Sequence, residues 1–260
     1  MMVNKDIIIT HINNLKKICK PLTNCYSLSV IENADDIWDY EESFLFSCND
    51  NGINRLFFYV QDKFHLKKIL SNLDSGTFYI DFITMDDNQY SKVFSGEILL
   101  AKMMRVATRD CSKILDDYTI MKYEDDSAGI VATYDDVHEI NQLLWSEFDT
   151  AISHLCDDKE LAGIVEKKEI LIHRGNDNHI DALLQTDIKP KSFYINQVYN
   201  KGDKKNIHAI MIKRLKEYYK NGGRYVYAWV SENNIASLRF HKKYGLVHDG
   251  TWDIVYCIKR

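Results

Sequence analysis

Residues 193–246 read FYINQVYNKGDKKNIHAIMIKRLKEYYKNGGRYVYAWVSENNIASLRFHKKYGL, and the order of elements in this stretch decides the fold. Two β-type runs, Phe193–Tyr199 and Arg224–Val230, are each followed by a helical pattern. From Asn206, apolar residues recur at Ile207, Ile210, Met211, Leu215 and Tyr218, the period of an amphipathic helix. Asn221-Gly222-Gly223 ends it, because glycine takes the left-handed conformation at a helix end without steric penalty. The segment Asn200–Asn206 is therefore a junction between a strand and a helix N-terminus. Such a junction offers backbone N–H groups and the positive end of the helix dipole, an arrangement suited to a phosphate.

The second helix carries a resemblance. Asn234-Ile235-Ala236-Ser237-Leu238-Arg239-Phe240-His241-Lys242-Lys243-Tyr244-Gly245-Leu246 resembles the N-x-x-[A/S]-x-x-x-[Y/H]-x-K-x-G-F motif of the GNAT superfamily, the acyl-CoA-dependent N-acetyltransferases. Upstream, Val198–His208 aligns without a gap on that family's V-x-P-x-x-R-G-x-G-x-[G/A] pyrophosphate loop. This second match is eroded. Asp203 stands where Arg or Gln is usual, and Lys204, Asn206 and His208 occupy the small-residue positions.

Working outward, residues 118–260 order as β-α-α-β-β-β-α-β-α-β. Asp136-Val137-His138-Glu139 opens one helix as a capping-box variant, and Asp157-Asp158-Lys159-Glu160 opens another. Runs at Tyr118–Tyr123, Glu169–His173, Ile180–Thr186 and Phe193–Tyr199 are expected as strands, the last three forming an antiparallel meander. Trp252, Ile254, Tyr256 and Ile258 alternate with less apolar neighbours, as in a half-buried strand. The resemblance implies the GNAT acyl-CoA N-acyltransferase fold: an α/β (α+β) protein with a mixed, mostly antiparallel sheet flanked by helices.

Toward the N-terminus, residues 3–19 read as a helix closed by Pro21. Strands are expected at Tyr26–Ile31, Ser43–Cys48, Arg55–Val60 and Thr77–Met85, with a hairpin turn at Asn49-Asp50-Asn51-Gly52. Phe64–Leu73 reads as a helix, and Ile98–Val106 as an element of either type. We expect a degenerate, smaller GNAT-like α/β domain at 1–116 and the GNAT domain proper at 117–260.

Composition narrows the function. A length of 260 residues, 45% hydrophobic and 27% charged content suit a soluble globular chain, and 2 Pro with 11 Gly leave little room for a flexible linker. A net charge of -5 provides no basic face for nucleic acid. The 6 cysteines form no C-x-x-C pair, which argues against a zinc site or a disulfide framework. No apolar run reaches the ~20 residues of a membrane helix, and the N-terminus lacks the features of a signal peptide. The expectation is a cytoplasmic protein with no metal, no nucleic-acid or membrane partner, acting as monomer or homodimer.

The resemblance implies an acyl-CoA, normally acetyl-CoA, as co-substrate and an amine as acceptor. By position, Asp203, Lys204, Lys205, Asn206, Ile207, His208 and Ala209 would anchor the pyrophosphate through backbone N–H groups. Val198 and Tyr199 would meet the pantetheine arm, where the Val198 and Arg224 strands diverge. Asn206 is the mildest departure, since Asn enters the left-handed region more readily than other non-glycine residues. His241 takes the position of the family's proton-donating tyrosine, with Tyr244 in reserve, and Asn234 belongs at the helix start. The residues name no general base, although Glu139, Asp181 and Asp187 are available. An alternative is a non-catalytic acyl-CoA-binding or scaffold module. A third reading, an aminoacyl-tRNA-dependent transferase on two GNAT-like halves, lacks the basic surface it needs.

Overall fold

The computed structural model describes residues 5–25, 27–125 and 129–260. In chain order it begins with α1 (Lys5–Ile18), β1 (Leu22–Thr23), β2 (Ala34–Tyr40), β3 (Ser43–Asp50), β4 (Ile53–Val60) and α2 (Lys63–Leu70). There follow β5 (Thr77–Thr84), β6 (Ile98–Thr108), α3 (Ser112–Leu115), α4 (Tyr118–Met121), β7 (Ile130–Val131), α5 (Val137–Glu147) and α6 (Thr150–Ser153). The remainder is α7 (Asp158–Glu166), β8 (Ile170–Arg174), β9 (Ile180–Lys189), β10 (Ser192–Asn200), α8 (Lys204–Lys220), β11 (Val226–Ser231), α9 (Ile235–Lys243) and β12 (Val247–Lys259).

The chain forms two compact units, and they are not consecutive halves. Unit 1 takes Met1–Lys102, Asp149–His154 and Thr251–Arg260; unit 2 takes Met103–Phe148 and Leu155–Gly250. The sequence placed a boundary at 116/117, whereas the chain crosses between units inside β6 and again inside β12. In unit 1 the strand order is β2-β3-β4-β5-β12, antiparallel except for the β4/β5 pair. In unit 2 it is β7-β8-β9-β10-β11-β6, antiparallel except for β10/β11. Each unit thus has an antiparallel meander, a helical crossover to a parallel strand, and one last strand contributed by the other half of the sequence.

Local chemistry accounts for most elements. Asn51 and Gly52, at φ of 50° and 88°, make the two-residue turn between β3 and β4, as the Asn-Gly pair requires. In unit 2, Ile207, Ile210, Met211 and Leu215 of α8 pack on Phe193, Ile195, Val226 and Ala228. On the opposite sheet face, Ile140, Leu144, Leu161 and Val165 of α5 and α7 cover Ile172 and Leu183. Burying each such side chain contributes about 1.5–3 kcal/mol.

Two expected strands are absent. Tyr118–Tyr123 contains the helical turn α4, because the Asp117 carboxylate accepts the Thr119 N–H at 2.8 Å and starts a helix there. Ile120, buried, and Met121 then pack with the α8 core. The next strand of unit 2 after β6 is the short β7, further along. Leu28–Asn33 forms a 3-10 helix where Tyr26–Ile31 was expected to be extended, and Tyr26 itself lies outside the described residues. The start of the expected 3–19 helix, Val3 and Asn4, lies outside them too. A strand the sequence concealed, β2, carries Asp35, Asp36 and Asp39 on an edge of its sheet, where charge discourages pairing with another chain.

Candidate functional site

The site begins with the way β10 leaves β11. The two run parallel in register only at Phe193↔Val226, Tyr194↔Tyr227 and Ile195↔Ala228, and beyond this point they separate. On its other side β10 remains paired with β9, where the register shifts between Ile195 and Gln197. Asn196 is therefore the extra residue of a β-bulge, which bends β10 away from β11. The bulge also switches side-chain parity: Ile195 and Val198 belong to the α8 side of the sheet, and Tyr199 to the α5/α7 side. The expected divergence is present, with Val198 and Tyr199 on the freed segment.

Next comes the junction from β10 to α8. The Lys201 and Gly202 N–H groups donate to the Asp181 carbonyl at 2.8 and 3.1 Å. Asp203 is the N-cap, its carboxylate accepting the Lys205 N–H at 2.9 Å, while the Asn206 N–H donates to the Asp203 carbonyl at 3.0 Å. An acidic cap at this point satisfies helix donors with the protein's own carboxylate. Asn206 lies in the first helical turn and is not among the positive-φ residues, so the loop does not use its left-handed tolerance. Lys204 and Lys205 are exposed, whereas Ile207, His208 and Ala209 are each 3% exposed. Beside this turn lies a cleft of 510 Å³ lined by Lys122, Tyr123, Glu124, Lys205, Asn206 and Ala209.

His208, in a position where the family matched by the motif carries Gly or Ala, fills the space under α8. Its ring stacks on Tyr123 and Phe240 at centroid distances of 4.7 and 5.2 Å. The Tyr244 hydroxyl donates to His208 Nδ1 at 2.5 Å. Burial, followed by the charges of Lys243, Lys122 and Lys204, pushes the His208 pKa down to about 4. Burial likewise raises the Tyr244 pKa far above the ordinary phenol value. This pair is a neutral acceptor and its phenol donor, set in the core.

His241 sits on α9, whose N-cap Asn234 accepts the Ser237 N–H at 3.0 Å. It is 3% exposed, and its Nδ1 donates to the Ser237 carbonyl at 2.8 Å. Burial depresses its pKa to about 4, so it is neutral at pH 7, with the proton on Nδ1. Its Nε2 is buried and has no hydrogen-bond partner among the described residues, an acceptor left open. The sequence marked the position of His241 but not its protonation state, which depends on burial.

The three spare carboxylates are engaged. Glu139 and Asp136 clamp Arg174 at 2.7 and 2.6 Å. Asp187 pairs with Lys189 at 2.7 Å, and Asp181 with His173 at 2.6 Å. Sequence reasoning missed Lys122 and Tyr123, having read their segment as a strand. It missed His173 as well, which lies near the loop only through the β8/β9 pairing.

Compared with known structures, the chain has the fold of GNAT acetyltransferases. A GNAT-family acetyltransferase from Colwellia psychrerythraea superposes with a TM-score of 0.57 at 12% identity, over 96% of this chain and 97% of that one. A putative GNAT acetyltransferase from Novosphingobium aromaticivorans gives a TM-score of 0.53 at 11% identity, over 83% and 88%. The likeness extends to a tandem arrangement. A tandem GNAT protein from the clavulanic acid biosynthesis pathway matches all 100% of this chain and 97% of its own, with a TM-score of 0.58 at 8% identity. No family model and no curated protein matches the sequence. Among the described residues, no helix is long and apolar enough to cross a membrane, and no group of three or more His, Cys, Asp or Glu could hold a metal ion.

Proposed function

We propose that unit 2 binds an acyl-CoA, in the simplest case acetyl-CoA, and transfers its acyl group to a primary amine of a small molecule or peptide in a ternary complex. The observation that carries this reading is the parting of β10 from β11 past Ile195/Ala228, with α8 starting directly after the freed segment. The gap would take the pantetheine arm against Val198 and Tyr199. The pyrophosphate would lie at the first turn of α8, from Asp203 to Ala209, with Lys204 and Lys205 nearby. Unit 1 is read as a degenerate copy of the same pattern, since β4-α2-β5 repeats the parallel crossover of β10-α8-β11. All 6 cysteines are free thiols, in keeping with a cytoplasmic protein.

In the transfer, the amine nitrogen attacks the thioester carbonyl, a C–N bond forms and the C–S bond breaks. The nitrogen loses one proton and the sulfur gains one, so the net reaction needs no external donor. A neutral His241 with its proton held on Nδ1 suits the role of acceptor at Nε2 better than that of acid. It would orient the thiol or a pantetheine N–H. Tyr244, whose hydroxyl is committed to His208, would support α8 and α9. Asn234 would hold the start of α9.

A second reading, acyl-CoA binding or scaffolding without turnover, draws on the Asp203 cap and the His208 ring in a small-residue position. Incubation with acetyl-CoA and a panel of amines, followed by measurement of free thiol, separates the two. The transferase reading predicts amine-dependent thiol release. Binding without any amine-dependent release would leave the scaffold reading standing.

A further inference from the structure

We propose that Asp181, with His173, is the positioning device for the start of the loop at residues 201–206, fixing Lys201 and Gly202 in the shape that accepts an anionic phosphate. The inference rests on the reading that unit 2 takes an acyl-CoA, but the geometry of the device is independent of it. In the β8/β9 pairing, His173 faces Ala182 and Arg174 faces Ile180, so Asp181 is an extra residue in β9. A bulge of this kind re-aims both the side chain and the carbonyl of the residue it contains. Here both turn to the loop.

The carbonyl accepts the Lys201 and Gly202 N–H groups, at 2.8 and 3.1 Å, fixing the loop's first half. The carboxylate lies so close to Gly202 that a Cβ there would come within 2.3 Å of Asp181 Oδ2. Glycine is needed at 202 because of this approach. The other oxygen, Oδ1, accepts from His173 Nδ1 at 2.6 Å, and the Asn206 carboxamide lies 3.2 Å from that nitrogen. Asn206 belongs to the first turn of α8. With its proton given to Asp181, Nδ1 has no lone pair for the Asn206 amide, so Asp181 ties the loop's first residues directly and His173 holds its carboxylate in place against Gly202. The Asn200 carboxamide also donates to the Gly202 carbonyl at 3.1 Å.

An anionic carboxylate beneath a phosphate-binding loop would weaken binding if its only effect were its charge. Positioning and charge thus predict opposite results for Asp181→Ala. Asp181→Ala removes the charge and the packing against Gly202, while Asp181→Asn removes the charge but keeps the shape and an oxygen for His173. The test has two arms, with coenzyme A itself as the probe. In the first, backbone amide exchange at residues 201 and 202 is followed without ligand. We expect exchange faster by about 10-fold or more in Asp181→Ala and in Gly202→Ala, and close to wild type in Asp181→Asn. In the second, coenzyme A affinity should fall about 10-fold in Asp181→Ala and be kept or improved in Asp181→Asn.

Unchanged exchange in Asp181→Ala overturns the proposal. Tighter coenzyme A binding in Asp181→Ala also overturns it, since it would make charge the dominant effect. If the wild-type protein binds no coenzyme A, the acyl-CoA reading fails, while the exchange arm still decides whether Asp181 holds the loop.

Discussion

His208 and His241 show how two residues of the same type, both uncharged by burial, come to serve different ends. His208 is closed off by the Tyr244 hydroxyl and by aromatic rings, whereas His241 keeps an open Nε2 in a buried place. Both have pKa values depressed from 6.5 to about 4, and this has a consequence for stability. The unfolded chain takes up a proton at each site as pH falls below about 6.5, and the folded chain resists until about 4. The stabilisation is therefore complete above pH 6.5 and is lost progressively on acidification through that window. At about 1.36 kcal/mol per pKa unit, each residue accounts for a loss of up to about 3 kcal/mol. Denaturant melts at pH 7 and pH 5 should show this slope, and His241→Phe should make it shallower. An identical slope in the variant would mean that His241 binds its proton equally well in the folded and unfolded chain. The motif in the sequence located His241 and Tyr244; it could not say which of them is free, because Tyr123, which closes His208, comes from a segment far away in the chain.

At the scale of elements, α7, α8 and the β8-β9-β10 meander were legible because each carries its own period, cap or turn, and α9 because of the motif; α5 was legible from its period, but the capping box expected at Asp136–Glu139 is instead made by Thr133 and Asp136. What stayed hidden are features without a compositional mark. The bulges at Asn196 and Asp181 are made by register, and a single sequence does not record register. The α4 turn was missed because Tyr118–Tyr123 has strand-like residues and the Asp117 cap outweighs that propensity. The α8 N-terminus combines both cases. The Asp203 substitution was visible as a departure from the family's loop, and the structure shows its physical use as a cap. A serine caps a helix about as well as aspartate and carries no charge. Asp203→Ser should therefore leave the melting midpoint nearly unchanged and tighten coenzyme A binding by about 2- to 5-fold, the worth of one exposed charge contact. Weaker binding in this variant would show that the carboxylate assists the ligand, for example by ordering the lysines beside it.

On the scale of the whole molecule, the two units share one pattern: a meander, a parallel crossover and a final antiparallel strand taken from the other half of the sequence. The alternation of Trp252, Ile254, Tyr256 and Ile258 identified β12 as a half-buried strand. Its partner, β5, more than 160 residues earlier, could not be read from it. For the same reason β6 looked ambiguous, since its pairing with β11 lies on the far side of the boundary the sequence suggested. The central claim is that the parted strands and the α8 terminus form an acyl-CoA site. The most direct measurement is a calorimetric titration of acetyl-CoA into the full chain, with backbone amide shifts recorded alongside. The account predicts saturable binding at one site per chain, with a Kd of about 1 µM to 1 mM, and shift changes confined to Val198–Ala209 and the facing end of β11. No binding at millimolar acetyl-CoA, or binding that leaves those amides unmoved, would contradict it.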